Sequence, residues 1–193
     1  MIRKALITIV AMLFVSLPGI AQELEDPAEG KAKLYVFYFG FGMRTSFVRM
    51  GASIFVDDQY RGSLGTSEYL GTDVEPGERL VWSFTAGKKH FVRLEAAAGK
   101  TYYIQLMPEA KLFQPVPYPR LFDACPNGKG KGRYKKIVKR LGKNAFTLAE
   151  NPPEKIEKGQ REHAAMVEEV LKRWRSDWQH SSKWPVISRE AGN

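Results

Sequence analysis

Cysteine is almost absent: Cys125 is the one thiol in 193 residues. A lone cysteine excludes an internal disulfide, so the fold must rest on its core. Cys125 itself reads as a small buried hydrophobe, with pairing to another chain as the alternative. Histidine is scarce too, and His90, His163 and His180 are dispersed, without the close spacing of a metal site. Asp57 and Asp58 are adjacent and belong to a turn, so they cannot face each other as an acid–base pair. The glycine-rich stretches at 40–42 and 62–65 lack the lysine and the strand–helix context of a phosphate loop. No serine, threonine or cysteine can be matched to a base. The expectation is a protein with no enzymatic activity, no cofactor and no metal. Long apolar runs are missing beyond residue 15, which leaves no membrane-spanning segment after that point.

The first 21 residues stand apart. Arg3 and Lys4 precede an apolar run at 5–15, then Pro18 and small residues ending at Ala21. The run is shorter than the ~20 residues that cross a bilayer, and the pattern is that of a secretory signal peptide cut after Ala21. The alternative is an uncleaved anchor. The expected address is therefore periplasmic or secreted. Of the net charge of +9, two positives lie in this leader, leaving +7 for the exported chain. Such a chain tends to associate with anionic envelope material. Residues 22–31 carry four acids, a proline and a glycine, and read as a flexible linker.

Residues 32–125 read as strands. Residues 79–107 hold three alternating apolar runs, separated by two Gly-Lys turns. Leu80, Trp82 and Phe84 share one face of the first, Val92 and Leu94 of the second, and Tyr102, Ile104 and Leu106 of the third. Together they predict a three-stranded antiparallel meander. Residues 33–41 are apolar on both faces, with Leu34, Val36 and Tyr38 on one and Tyr35, Phe37 and Phe39 on the other, so this strand needs cover twice over. Ile54 and Val56 point inward in a short strand that turns at Asp57-Asp58-Gln59. Residues 108–119 hold four prolines and read as an irregular crossing segment.

The run Ser53-Ile-Phe-Val-Asp-Asp-Gln-Tyr-Arg-Gly-Ser-Leu is similar to a hairpin of the DUF2846 family. Val74-Glu-Pro-Gly-Glu-Arg-Leu-Val-Trp-Ser and Ala98-Gly-Lys-Thr-Tyr-Tyr-Ile-Gln-Leu resemble two further segments of it, in the same order. The Pro-Gly hairpin is also found in PEGA-type domains. The resemblance spans roughly 32–115. It implies a small β-sandwich, transthyretin-like or carbohydrate-binding-like in shape, in an exported bacterial protein; it implies no functional residues.

Beyond residue 125 the chain changes character. Residues 126–150 form a basic segment, and between Asn127 and Lys143 the eight cations Lys129, Lys131, Arg133, Lys135, Lys136, Lys139, Arg140 and Lys143 occur with no acid. Its second half suits a strand or a short helix. These eight are the candidate anion-binding residues, the ordinary alternative being a solvated surface. Residues 151–179 predict one amphipathic helix, begun by Asn151-Pro152-Pro153-Glu154 as a capping box and striped by Met166, Val167, Val170, Leu171, Trp174 and Trp178. That stripe is expected to cover Tyr35, Phe37 and Phe39. Residues 180–193 read as a loose tail. Phe91 and Tyr103, beside Lys89, Arg93, Lys100 and Gln105, are candidates for stacking on sugar.

The fold class expected is thus mainly β: an antiparallel β-sandwich with a C-terminal amphipathic helix packed on it. The function expected is a structural or interaction module of the cell envelope, with anionic glycan or another polyanion binding at 129–143 as the first alternative and a hydrolase as a remote one. The partners to be expected are envelope polysaccharide or another envelope protein, with no specific nucleic acid. Oligomeric state is not fixed by these residues.

Overall fold

The computed structural model describes residues 24–39, 51–109, 118–178 and 185–193. The leader, the arginines at 44 and 49, most of the proline-rich crossing and His180 lie outside the described residues. Strand β1, Ala32–Tyr38, has all seven residues buried. It sits in the middle of a five-stranded sheet, which explains its apolar character on both faces. Its neighbours are β4 (Glu68–Val74), antiparallel, and β7 (Thr101–Glu109), parallel. β8 (Tyr118–Asp123) and the two-residue β9 (Thr147–Leu148) complete the order β8-β7-β1-β4-β9. The second sheet runs β10-β6-β5-β2-β3, from β2 (Ala52–Val56), β3 (Gln59–Leu64), β5 (Gly77–Thr85), β6 (Lys88–Ala96) and β10 (Val186–Ile187). The mainly β class holds. The sheets are mixed, because β1–β7, β4–β9 and β6–β10 are parallel pairs.

Leu34, Val36 and Tyr38 meet Ile54, Val56, Val81, Val92, Leu94, Tyr102, Ile104 and Leu106 in one core between the sheets. The predicted meander is corrected here. β5 and β6 do pair as a hairpin, through Ala86 and Gly87, both at positive φ (48° and 76°). A two-residue connection of that shape suits the twist of adjacent strands. The next connection, 97–100, carries one such residue, Gly99 (φ 72°), and leads across to the other sheet. Alternation alone cannot tell a hairpin from an arch that switches sheets. The facing is corrected with it. Val81 opposes Val92 and Trp82 opposes Phe91, so Leu80 and Trp82 lie on the outer face while Val92 and Leu94 point into the core.

Each outer sheet face has an aromatic cluster of its own. On the first sheet Tyr35, Phe37, Phe39, Tyr69 and Tyr103 share a cluster with Ile137, Leu141 and Phe146. On the second, Phe55, Tyr60, Leu80 and Trp82 share one with Val167 and Val170. The expected cover was the wrong one: the amphipathic stripe goes to Phe55 and Trp82, and the basic segment goes to Tyr35 and Phe37. Both sheets expose greasy outer faces, so pattern matching had two acceptable answers.

The helical region also divides. α1 is Lys131–Leu141, α2 Pro153–Glu162 and α3 Ala164–Arg173, the last continuing as a π-helical turn, Trp174–Trp178. The single helix expected over 151–179 breaks at His163. Asn151 does not cap it. Its amide instead accepts from Ser63 N (2.9 Å) and donates to Ser63 O (3.2 Å), and Gln160 likewise accepts from Tyr60 N (2.6 Å) and donates to Asp58 O (2.8 Å). Two side-chain amides thus occupy the outer backbone groups of the edge strand β3, which would otherwise invite another strand. Gly159 belongs inside α2, where a Cβ would collide with the Tyr60 ring.

Two segments expected to be loose are docked. Thr101 and Asn193 exchange backbone hydrogen bonds, Asn127 Nδ2 donates to Gly192 O (3.1 Å), and Ile187 and Ala191 join the core. At the other end Lys33 pairs with Glu25 (2.8 Å), the Tyr35 hydroxyl donates to Glu25 O (2.9 Å), and Ala28 N donates to Asp73 (3.1 Å).

Candidate functional site

The basic segment becomes a helix because its second half has three apolar residues at helical spacing, Tyr134, Ile137 and Leu141. All three turn toward the first sheet's aromatic cluster, with Ile137 fully buried and Tyr134 edge-on to Tyr103 at 5.0 Å. The lead-in is held by Asp123, whose carboxylate accepts from Cys125 N (2.8 Å) and Gly130 N (2.9 Å). The glycines at 128–132 are therefore part of an organised turn into the helix.

The eight candidate cations separate into two groups. Arg133 lies over the Phe122 ring at 4.7 Å and donates to Asp123 O (3.3 Å). Arg140 lies over Phe39 (4.7 Å) and Phe146 (5.0 Å). Cation–π contacts of this kind are worth roughly 0.5–2 kcal/mol and commit both guanidinium groups to packing. Lys129, Lys131, Lys135, Lys136, Lys139 and Lys143 are all exposed. None of the six forms a salt bridge with a described residue. At about 100° per residue, Lys131, Lys135 and Lys139 make one i, i+4 row, with Lys143 just past the end and Lys136 alongside. The row lies on the arc opposite Ile137 and Leu141, and its ammonium-bearing residues recur about every 6 Å along the axis. The result is a rigid, one-signed stripe on a helix anchored from behind.

The stacking pair does not come together. Tyr103 is in the first sheet, buried under α1 and stacked on Tyr35 at 6.0 Å. Burial, above all, pushes its hydroxyl pKa up to about 12. Phe91 is in the second sheet and packs against the cluster of Trp82 and α3. Rings on opposite outer faces cannot make one sugar platform; Tyr103 is buried under α1, and Phe91 is half-buried against the cluster beneath α3. The sequence could not tell which outer-face rings would be covered.

Cys125 is buried, with its Sγ 3.3 Å from Tyr103 N as acceptor, and burial raises its thiol pKa strongly. It is neither a thiolate nor accessible to a second chain in the folded state. His163 is the residue that sequence reasoning undervalued. Its Nε2 is 3.4 Å from Ser53 Oγ, and its ring packs on Phe55, Tyr60 and Phe84. A hydroxyl beside an imidazole is the start of a nucleophile–base pair, but no carboxylate among the described residues orients this imidazole. No group of three potential metal ligands occurs among the described residues. No described helix is long and apolar enough to cross a membrane.

Fold and site together define a two-sheet, mixed β-protein that carries an uncompensated basic helix on one outer face. No family model matches the chain, and no curated protein matches it. One solved structure, an NMR structure of a protein from Eubacterium rectale, is similar at 12% identity and a TM-score of 0.35, over 52% of this chain and 92% of that one. A likeness at that level carries no argument.

Proposed function

We propose that the chain is an exported, non-enzymatic interaction module of the cell envelope whose working surface is the lysine face of α1 and whose partner is an anionic polysaccharide. The observation that carries this reading is the sorting of the cations. Both arginines turn inward onto rings, and all six lysines turn outward with no acid among the described residues to neutralise them. A fixed row of ammonium groups concentrates potential along one line, which favours an extended polyanion. The leader-like residues 1–21 and the DUF2846 resemblance support an address outside the cytoplasm, where such polymers are found.

The test is salt elution from an immobilised uronate polysaccharide. The triple variant Lys131→Glu, Lys135→Glu, Lys139→Glu is compared with Lys158→Glu, Arg161→Glu, Lys172→Glu, which changes net charge equally on other helices. The α1 variant should elute at distinctly lower salt than wild type, and the other should stay near wild type. Equal losses in both would reduce the effect to net charge and overturn the reading.

A further inference from the structure

β3 contains an irregularity that the polyanion reading does not use. Ile54 opposes Gly62 while Phe55 opposes Tyr60, so Arg61 has no partner on β2. This extra residue is a bulge, and bulges re-aim side chains. The strand's phase inverts across it: Tyr60 belongs to the cluster under α3, and Leu64 to the core between the sheets. Arg61 is left at the open mouth between β3 and β4. There it lines a cavity of about 360 Å³ with Leu70, Thr72, Leu148 and Ile156. It also borders adjoining clefts beside Gln160 and beside Asp57.

The Arg61 guanidinium is uncommitted. Its Nε is buried and has no hydrogen-bond partner. The carboxylates around it are used elsewhere. Asp57 accepts from Leu80 N (2.8 Å) and from Arg79 (3.2 Å), and Asp73 accepts from Ala28 N (3.1 Å) and pairs with Lys33 (3.7 Å). Asp58 is exposed, and no described carboxylate lies within ion-pair distance of Arg61. A buried donor without an acceptor calls for one. Nε–H and an adjacent Nη–H form the side-on fork that takes a carboxylate through two parallel hydrogen bonds.

We infer that the mouth between β3 and β4 is a binding site for a small organic monocarboxylate, with Arg61 as its anchor. Leu70, Leu148 and Ile156 give the cavity an apolar wall suited to a short aliphatic body, and its volume falls within the usual range for small-molecule sites. Asp57, Asp58 and Asp73 add negative potential around the anchor, which opposes any anion but opposes a dianion such as phosphate about twice as strongly as a monoanion.

The full chain is titrated with hexanoate, hexanol and inorganic phosphate, following backbone amide shifts and the Arg61 Nε–H resonance by NMR. Hexanoate should produce saturable shifts at Arg61, Leu70 and Thr72 and move the Nε–H signal. Hexanol and phosphate should bind at least about tenfold more weakly, the loss expected for a charge-assisted pair. Arg61→Met should lose binding by a similar factor, and Leu148→Asp should abolish it with the anchor intact. Should Arg61→Met fail to fold, the three ligands on wild type decide the matter. Non-saturating hexanoate shifts, or hexanol binding as well as hexanoate, would overturn the assignment.

Discussion

α1 and the α2–α3 pair cover equivalent greasy faces of the two sheets, yet they treat charge in opposite ways. On α2 and α3 three of the five cations are paired with acids one turn away: Lys158 with Glu162 (3.7 Å), Arg161 with Glu157 (3.9 Å), Arg173 with Glu169 (3.3 Å). Glu169 also takes Lys89 of the sheet (2.8 Å), whose ammonium lowers its carboxyl pKa. α1 has no acid at all, and its lysines face one another. Two helical lids with the same packing duty therefore differ in what they show to solvent. Packing explains the inner face of each. It explains the outer face of α2 and α3 too, as ordinary solvated surface stabilised by i, i+4 pairs. It leaves the outer face of α1 unexplained.

The largest effect that would sharpen the comparison is in the buried faces. Ile137→Ala should destabilise the protein by about 2–5 kcal/mol, and Val170→Ala by about 1.5–3 kcal/mol, since each removes a fully buried side chain from an aromatic cluster. Urea midpoints at constant m-value measure both. Were Ile137→Ala nearly neutral, α1 would be an appended arm and not a lid, and its lysine row would lose the rigidity claimed for it.

How the two lids were assigned shows what the chain reveals in advance. The strand β1 and the need for cover on its Tyr35–Phe37 face were legible, because a strand apolar on both sides has no other solution. So were the hairpin turns at Asp57 and Gly87. Which helix goes where was not, since Phe55, Leu80 and Trp82 form an equally apolar outer face once the facing of β5 is corrected. Asn151 misled for a different reason: the same amide that caps a helix can cap a sheet edge, and only the neighbourhood of Ser63 selects between them. The eight cations were legible as a cluster. Their division into clamps and stripe was not, because Arg133 and Arg140 find their rings, Phe122, Phe39 and Phe146, only in three dimensions. Arg61 carried no signal, as a bulge is invisible in period-two alternation.

A second effect can be read on the α1 side. Tyr103 is buried there with its hydroxyl pushed up from 10.0 to about 12, desolvation being the main cause. The sign follows from linkage. The unfolded chain releases this proton near pH 10 and the folded chain holds it, so the contribution is complete below pH 10 and is lost as pH rises toward 12. Stability should therefore decline across pH 10–12. Tyr103→Phe should decline less steeply, because it has no proton to lose. Parallel curves for the two proteins would mean that the hydroxyl is hydrated under the lid, and that α1 packs less closely than the ring contacts indicate.

The smallest effect bears most directly on the stripe. Lys131–Lys135 and Lys135–Lys139 are like-charge pairs one turn apart, each expected to cost roughly 0.2–0.5 kcal/mol, whereas the pairs on α2 and α3 contribute about that much in favour. Salt screens both, with a Debye length that falls from about 30 Å at 0.01 M to about 10 Å at 0.1 M. Raising sodium chloride over that range should therefore stabilise wild type more than the triple variant Lys131→Gln, Lys135→Gln, Lys139→Gln. Arg173→Gln, which removes a favourable pair, should shift the response the other way. Thermal midpoints of the three proteins at matched salt provide the measurement, and identical salt slopes would dissolve the distinction between the helices. If the slopes diverge as expected, the lysine row weakens the fold that carries it. Glutamine at these positions would hold the helix equally well, so the helix itself does not require the ammonium groups.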